Sequence, residues 1–364
     1  MKILGITGRE DHFVIDISGN QRRFHYLWLR DNCPGSRTDN GQRLHESNQI
    51  DPGVRPASVS YDQRQLNIVW NDKFESLYPV EFLSTWAYDT ASEPTSNMSL
   101  WDGRAGKTVV RYDYETVRAD PAARMNWLSD VEKYGFSLLR NVPPVAAKIF
   151  DVVDIFGYVR ETNYGRLFEV RAEEKPTNLA YTPVPLSVHT DNPYRDPCPT
   201  LQLLHCLVQA EEGGITAIVD GFNAAERLQQ QDPESFALLT ENEVLFRYQS
   251  EGAIVENTDR VISLDAAGKP RRIRMNNRSL APLRLAFDRV LPYYKALFTF
   301  RSILEAESMQ CRLRLESGDL IVLDNERVLH GRVCESIGER RLQGCYADRD
   351  GLLSTLRILE NHGD

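Results

Sequence analysis

Apolar side chains in the first part of the chain alternate with polar ones or form short runs. HFVIDI (12–17) and FHYLWL (24–29) lie on either side of the turn SGNQ, and QLNIVW (65–70) leads on into LYPVEFLSTW (77–86). Such short apolar runs are typical of strands that bury one face. The pattern predicts a small β-domain over residues 1–90. The polar segment 91–112 lacks periodicity and is predicted to be a linker.

Helical and extended patterns alternate irregularly in the rest of the chain. DPAARMNWLSDVEKYG (120–135) has an Asp N-cap, a Pro at the first helical position and a Gly at its end, and residues 143–157, 221–241 and 291–308 also predict helices. Predicted strands include FSLLRNVP, LQLLHCLVQ, GITAIVDG, VLFRYQS, VISLDAAGKPRRIRM, CRLRLESGDLIVLDN and RLQGCYAD. Many strands without βαβ alternation exclude a Rossmann-type sheet. They favour a mainly β barrel or sandwich with flanking helices.

The composition excludes several classes of protein. Among 364 residues, 41% are hydrophobic and 26% charged, and the net charge is −9 without a Lys/Arg-dense stripe, which argues against nucleic-acid binding. No apolar run approaches the roughly 18 residues that a membrane span needs, and MKILGITGREDHFV does not read as a signal peptide. The six cysteines are scattered, as expected for free thiols in a reducing compartment. We therefore expect a cytoplasmic protein that does not bind membranes.

A histidine and an aspartate lie two positions apart in SVHTDNPYRDP, as His189 and Asp191, and LDNERVLHGR adds His330 in a turn after a strand. Each occurrence alone has an ordinary structural explanation, because H-x-D arises often by chance. If the barrel brings these strand ends together, two histidines and one carboxylate form a facial triad that leaves three positions of Fe(II) open. A structural zinc site would require four protein ligands, commonly cysteines, which this region does not supply.

Further candidates for chemistry follow in the same part of the chain. Arg340 and Arg341 alternate along a predicted strand, so that one faces inward, where a guanidinium suits a carboxylate. The alternative is a solvated strand charge. The stretch RMNNRS contains either ordinary turn residues or an anion-binding site. Aromatic residues at 164, 168, 181 and 346 belong either to the core or to a cage that holds a quaternary ammonium by cation–π attraction.

Several of these motifs together resemble a known family. VHTDNPYRDPCPTLQLLHC, EGGITAIVDGFNA, RMNN, LDNERVLHGR and RRLQGCYADRDG are similar, in order, to the γ-butyrobetaine hydroxylase-like Fe(II)/2-oxoglutarate oxygenases, and HYLWLRDNCP resembles the start of their N-terminal module. The resemblance covers nearly the whole chain. It implies a double-stranded β-helix (jelly-roll, cupin-like) catalytic domain over residues 113–364 behind a small N-terminal β-domain. It also implies a homodimer that uses Fe(II), 2-oxoglutarate and O2 to hydroxylate a small trimethylammonium substrate.

The resemblance also implies a role for individual residues. It gives the iron ligands as His189, Asp191 and His330, and the 2-oxoglutarate site as Arg340, for the distal carboxylate, with Asn178. It gives the trimethylammonium cage as Tyr164, Phe168, Tyr181 and Tyr346, and it gives one of Asn276 or Asn277 to the anionic end of the substrate or to the co-substrate site. From the residues themselves, we predict an anion site of Asn276, Asn277 and Arg278.

Three departures from the family pattern affect these expectations. Only Cys33 remains of the cysteines that bind zinc in the family's N-terminal module, so we predict no zinc. Phe168 stands where the family tends to have Trp, which weakens one wall of the cage. The anionic end is rich in arginine, with Arg278 after the Asn pair, Arg166 inside NYGRLF and Arg195 after the metal motif.

The extra arginines favour a phosphonate over a carboxylate, because guanidinium groups suit a group with two charges and three oxygens. We therefore expect hydroxylation of 2-(trimethylammonio)ethylphosphonate at C1, with γ-butyrobetaine hydroxylation to L-carnitine as the alternative. Trimethyllysine is less favoured, since nothing is set aside for an α-amino group. A cupin-like metal enzyme without oxygen chemistry and a ligand-binding protein remain as remote alternatives.

Overall fold

The computed structural model of the chain describes residues 1–89, 97–107, 109–170 and 184–362, which fall into two units, Met1–Ser96 and Asn97–Asp364. The predicted domain boundaries at residues 90 and 112 stay a prediction. Trp101, from the predicted linker, is buried in a core of the second unit. None of the helices in these described ranges has the length and apolar character to cross a membrane.

The first unit contains two small antiparallel sheets, with strand orders β1–β2–β3 and β4–β5–β6. Its elements are β1 (Ile3–Gly8), β2 (His12–Ile17), β3 (Asn20–His25), α1 (Tyr26–Asp31), β4 (Pro56–Tyr61), β5 (Gln65–Trp70), β6 (Glu75–Pro79) and α2 (Val80–Thr85). FHYLWL and LYPVEFLSTW are therefore not strands throughout, because each changes from strand to helix. In each helix the buried residues lie three apart, Tyr26 with Leu29 and Val80 with Leu83, which is helical spacing.

The second unit is built mainly of strands. They are β7 (Arg111–Asp113), β8 (Phe136–Arg140), β9 (Val159–Arg160), β10 (Phe168–Val170), β11 (Leu186–His189), β12 (Leu201–Val208), β13 (Glu212–Gly213), β14 (Thr216–Asp220), β15 (Glu243–Ser250), β16 (Ala253–Arg260), β17 (Ile262–Leu264), β18 (Pro270–Ile273), β19 (Cys311–Leu313), β20 (Leu320–Asp324), β21 (Val328–Arg332), β22 (Ser336–Ile337) and β23 (Arg341–Ala347). The helices are α3 (Tyr114–Ala119), α4 (Pro121–Tyr134), α5 (Ile149–Val153), α6 (Gly221–Gln231), α7 (Pro233–Glu241), α8 (Phe287–Glu305) and α9 (Arg349–His362).

A larger sheet, β10–β23–β12–β20–β8–β7 with β9 on β23, shares a core with a smaller sheet, β11–β21–β14–β19. That core contains Leu204 and Ile321 of the larger sheet and Ile218 and Cys311 of the smaller one. Helices α3, α4, α5 and α9 bury the other face of the larger sheet, and α6, α7 and α8 pack against the smaller sheet. The predicted double-stranded β-helix with flanking helices is confirmed.

The helix predictions hold best where capping residues mark both ends. Helix α4 begins after the N-cap Asp120 and ends before Gly135, which adopts a left-handed conformation with φ 77°. The predicted helix 143–157 is wrong for most of its length, since only α5 forms. Residues 221–241 form two helices instead of one, because Asp232 ends α6 and its side chain caps α7.

Candidate active site

Strand pairing brings the two candidate histidines together. His189 at the end of β11 lies directly opposite His330 of the antiparallel strand β21, and their ring centroids are 4.5 Å apart. Asp191 follows just beyond β11, with Oδ1 3.4 Å from Nε2 of His189. One potential ligand atom from each of the three residues lies within 4.8 Å of the others. The double-stranded β-helix therefore assembles the two-histidine, one-carboxylate group that the sequence predicted.

Hydrogen bonds fix the orientation of these side chains. Nδ1 of His189 lies 2.9 Å from the carbonyl oxygen of Ser187. Because a carbonyl only accepts, this contact places a proton on Nδ1 and leaves Nε2 for a ligand. The backbone of Asp191 is held by Asn325, whose Oδ1 accepts from the Asp191 amide at 2.7 Å and whose Nδ2 donates to the Asp191 carbonyl at 2.9 Å.

The local electrostatics of His330 and Asp191 favour the forms of these two residues that bind metal. Burial and the neighbouring His189 lower the pKa of His330 to about 3, so this imidazole is neutral at pH 7. Burial raises the pKa of Asp191, but the interactions with His189, His330 and Tyr346 together outweigh it, and the pKa is lowered overall. Nδ1 of His330 is buried without a hydrogen-bond partner in the described part of the chain. Two imidazoles beside an ionised carboxylate fit Fe(II) with open positions.

These three residues line a cavity of about 610 Å³, and Arg340 lies in the same wall. The Arg340 side chain passes over Gly214, where an added Cβ would come within 3.2 Å of its Cδ. Burial and the nearby Arg332 lower the pKa of Arg340 to about 10. In the described ranges no carboxylate pairs with Arg340, whereas its neighbour Arg341 forms an ion pair of 2.5 Å with Glu169. An inward guanidinium without an acidic partner suits a ligand carboxylate.

Aromatic rings cover another part of the cavity wall. The predicted Tyr164, Phe168 and Tyr346 are joined there by Tyr194 and Tyr248, which the sequence analysis did not single out. The ring of Phe168 lies 5.1 Å from that of Tyr346, and Tyr164 lies 5.7 Å from Tyr248. Tyr194 and Tyr248 stack at 5.2 Å. We call these five residues the aromatic cluster.

The predicted anion site is only partly assembled in this cavity. Asn276 and Arg278 line it, and no described carboxylate lies at ion-pair distance from the Arg278 guanidinium. Asn277 instead lines a smaller cavity of about 200 Å³. The sequence analysis missed Arg247, which lines the main cavity and pairs with Glu256 at 3.1 Å.

Other predicted residues lie elsewhere or outside the described ranges. Arg166 and Arg195 do not belong to the cavity wall. Arg166 lies over the ring of Phe150, and Arg195 donates to Asn163. Asn178 and Tyr181 fall within residues 171–183, outside the described residues.

Some residues at the site were missed because their signal in the sequence is weak. Gln202 is one of two polar residues, with His205, inside the apolar run LQLLHCLV, and a buried polar side chain in such a run is itself a hint of a specific partner. Its partner is Asp191. Arg332 and Tyr194 gave no comparable signal. In the first unit Cys33 is buried, and the absence of zinc stays a prediction.

The sequence is similar to several known proteins along most of its length. Residues 97–346 match the family model described as taurine catabolism dioxygenase TauD, TfdA family, and residues 9–84 match the gamma-butyrobetaine hydroxylase-like N-terminal model. A gamma-butyrobetaine dioxygenase from Pseudomonas sp. (strain AK-1) is 35% identical over 94% of this chain and 92% of its own length. The mitochondrial trimethyllysine dioxygenase of Bos taurus is 31% identical over 96% of this chain and 86% of its own. A solved taurine dioxygenase from Burkholderia xenovorans superposes with a TM-score of 0.49 at 14% identity, covering 62% of this chain and 81% of that one.

Proposed function

The chain belongs to the taurine catabolism dioxygenase TauD, TfdA family, and from this premise we propose that it is an Fe(II)- and 2-oxoglutarate-dependent hydroxylase of a small trimethylammonium zwitterion. Gamma-butyrobetaine and trimethyllysine, for which the two relatives above are named, both carry a trimethylammonium group. Membership of a dioxygenase family sets aside the non-oxygenase metal enzyme and the simple ligand-binding protein.

His189, Asp191 and His330 would hold the iron, since they supply two imidazole donors and one carboxylate donor in the wall of the cavity. With 2-oxoglutarate and O2, Fe(II) supplies the decarboxylation that yields succinate and the oxidation that hydroxylates a C–H bond. Arg340 would bind the distal carboxylate of 2-oxoglutarate through two charge-assisted hydrogen bonds. Asn178 is proposed for the same site on the family resemblance alone.

The aromatic cluster would hold the trimethylammonium group, because ring faces attract a cation that has no hydrogen to donate. Tyr181 is added to this cage by the family resemblance. Asn276, Asn277 and Arg278 would hold the anionic end of the substrate, although Asn277 does not line the main cavity. Binding both ends of a short substrate orients one of its C–H bonds. Such positioning is how the protein would contribute to the reaction rate.

We propose the phosphonate 2-(trimethylammonio)ethylphosphonate as the substrate, hydroxylated at C1. The observation that carries this choice is Arg278, a guanidinium in the cavity wall without an acidic partner among the described residues. Arg247 adds a second guanidinium to the same wall, although Glu256 already neutralises part of its charge. A dianionic group gains more than a carboxylate from two cations. The alternative is γ-butyrobetaine, which the 35% identity to a gamma-butyrobetaine dioxygenase supports.

Reconstitution with Fe(II) under anaerobic conditions tests this proposal. Oxygen and 2-oxoglutarate are then added with either trimethylammonium compound, and succinate and a product heavier by one oxygen atom are followed by mass spectrometry. Efficient hydroxylation of the phosphonate with poor turnover of γ-butyrobetaine is the expected result. The reverse preference would make the chain a carnitine-forming enzyme. Absence of succinate with every substrate, in protein that binds metal, would contradict the oxygenase assignment.

The homodimer and the cytoplasmic location follow from the resemblance and the composition, and both stay predictions. Light scattering of the purified chain measures the first of them directly.

A further inference from the structure

One oxygen of the candidate metal ligand Asp191 is already engaged by two hydrogen bonds. The Gln202 amide donates to Oδ2 at 2.6 Å, and the Tyr346 hydroxyl donates to the same atom at 2.8 Å. Gln202 on β12 and Tyr346 on β23 are directly opposite each other in the larger sheet, so their side chains leave the same face side by side. A carboxylate oxygen accepts about two hydrogen bonds. Oδ2 is therefore saturated, and Oδ1, which faces His189, is the oxygen left for a metal.

Tyr346 has a second set of contacts through its ring. The side chain is buried and forms part of the cavity wall, with its ring 5.1 Å from that of Phe168. The Tyr346 hydroxyl thus faces the candidate metal ligand Asp191. The Tyr346 ring faces the part of the cavity assigned to the trimethylammonium group. The prediction of Tyr346 as a residue of the cage describes only its ring.

The aromatic cluster is tied to the metal-binding loop at another point. The hydroxyl groups of Tyr164 and Tyr194 are 3.1 Å apart, and Tyr194 donates to Oδ1 of Asn192 at 2.8 Å. Asn192 is buried, follows Asp191 directly and has a positive φ of 54°, a left-handed conformation that Asn adopts more readily than most residues other than glycine. Hydrogen bonds therefore join the aromatic cluster to two consecutive residues. Tyr346 contacts the carboxylate of Asp191, and Tyr194 contacts the side-chain amide of Asn192.

We propose that Tyr346 is a positioning residue for the metal site, in addition to forming a wall of the trimethylammonium cage. Its hydroxyl, together with Gln202, holds Oδ2 so that Asp191 presents Oδ1 alone. Because ring and hydroxyl move as one rigid group, a cation that restricts the ring also restricts the hydroxyl. Occupation of the cage and the affinity of the metal site are then linked. The inference rests on the proposed function, since it assumes that Asp191 binds metal and that the ring contacts a cation.

The substitution Tyr346→Phe separates the two roles, because it keeps the ring and removes only the hydroxyl. We expect the Kd for Mn(II), measured by calorimetry on metal-free protein, to rise by about 10-fold or more, as is usual when a hydrogen bond to a metal ligand is lost. The Kd for tetramethylammonium, measured without metal, should change by less than about 2-fold, since Phe and Tyr offer similar ring faces. With 2-oxoglutarate and substrate, the ratio of succinate to hydroxylated product should increase.

Tyr248→Phe is the matched control. Tyr248 belongs to the same cluster, but its hydroxyl has no hydrogen-bond partner in the described ranges. This variant should bind Mn(II) with the wild-type Kd. The Kd for tetramethylammonium can be measured both with and without Mn(II), and the ratio of the two values reports the link between cage and metal site. Tyr248→Phe should keep the wild-type ratio, whereas Tyr346→Phe should change it several-fold.

Gln202→Met provides a second test, should Tyr346→Phe fail to fold. It removes the other donor to Oδ2 without altering the aromatic cluster, so it should weaken Mn(II) binding and leave tetramethylammonium binding unchanged. Wild-type Mn(II) affinity in both variants would overturn the inference. Failure of the proposed function looks different, because then Mn(II) would bind the wild type no more tightly than the His189→Ala variant.

Discussion

Replacing Arg340 by methionine removes a guanidinium from the cavity wall and keeps an unbranched side chain of similar reach. Arg340 shares this wall with Leu204 and Leu342 and has no acidic partner among the described residues. Burial and Arg332 lower its pKa to about 10. The charge is therefore unfavourable in the folded protein until a ligand anion arrives. The substitution should thus affect stability and affinity in opposite directions.

The effect on stability follows from the lowered pKa of Arg340. The fall of the Arg340 pKa from its ordinary value to about 10 corresponds to roughly 3 kcal/mol that disfavours the charged side chain in the folded state. Because the folded-state pKa lies below the unfolded one, this penalty is fully present at every pH below about 10 and is lost only as the pH rises from there towards the ordinary pKa of arginine. Water in the cavity screens part of it, so we expect Arg340→Met to stabilise the ligand-free protein by about 1–3 kcal/mol.

The effect on affinity has the opposite sign. A hydrogen bond between charged groups contributes about 1.5–3 kcal/mol, and a guanidinium grips a carboxylate through two of them. Loss of both should weaken 2-oxoglutarate binding by roughly 100-fold or more, at about 1.4 kcal/mol for each factor of ten.

Thermal unfolding with and without 2-oxoglutarate, in the presence of Mn(II), measures both effects. Wild-type protein should gain stability from 2-oxoglutarate, since a ligand that binds only the folded state raises Tm. Arg340→Met should unfold several degrees higher than wild type without ligand and gain nothing from 2-oxoglutarate. Arg341→Met is the control, because Arg341 pairs with Glu169 and should keep the ligand effect. An Arg340→Met protein that is less stable than wild type, or that still responds to 2-oxoglutarate, would refute the reasoning.

Other substitutions and measurements address the rest of the site. His189→Ala should abolish both tight Mn(II) binding and succinate formation, and wild-type-like turnover would remove the metal assignment. Arg278→Ala should raise KM for the phosphonate by about 10-fold or more, because one charge-assisted contact is lost, and should raise KM for γ-butyrobetaine much less. Equal effects on both substrates would remove the argument for the phosphonate. Gly344→Ala should place a Cβ against the ring of Phe168 and displace it. Since such overpacking costs about 1–3 kcal/mol, KM for either trimethylammonium substrate should rise by about 10-fold, and Mn(II) binding should stay unchanged. Metal analysis should find no stoichiometric zinc, and about one zinc per chain would show that the module around Cys33 was misread.

Local signals in the sequence predicted some elements well and others poorly. Helix α4 was predicted nearly to the residue, because an Asp N-cap, a Pro and a terminal Gly act within the chain segment itself. Helix α8 begins at Phe287, four residues before the predicted start, since Pro292 is accommodated inside the helix instead of marking its first turn. Helix α5 is shorter than its apolar spacing suggested. Ala147, just before it, has a positive φ of 64°, which ends any helix running through that position.

The sequence by itself determined the chemistry that this chain has available. It supplied His189, Asp191, His330 and Arg340 in family-like motifs, and the strand-rich pattern of the fold around them. Residue type and local spacing are enough for that, because they decide which donors, charges and strands exist.

Only the tertiary structure decided which of these residues meet. The register of β11 against β21 sets His189 opposite His330, and the pairing of β12 with β23 sets Gln202 beside Tyr346 on the Asp191 carboxylate. It also left Asn277 out of the main cavity and brought Tyr248 into it. Such contacts depend on strand pairing and packing between segments far apart in sequence, which no local pattern records.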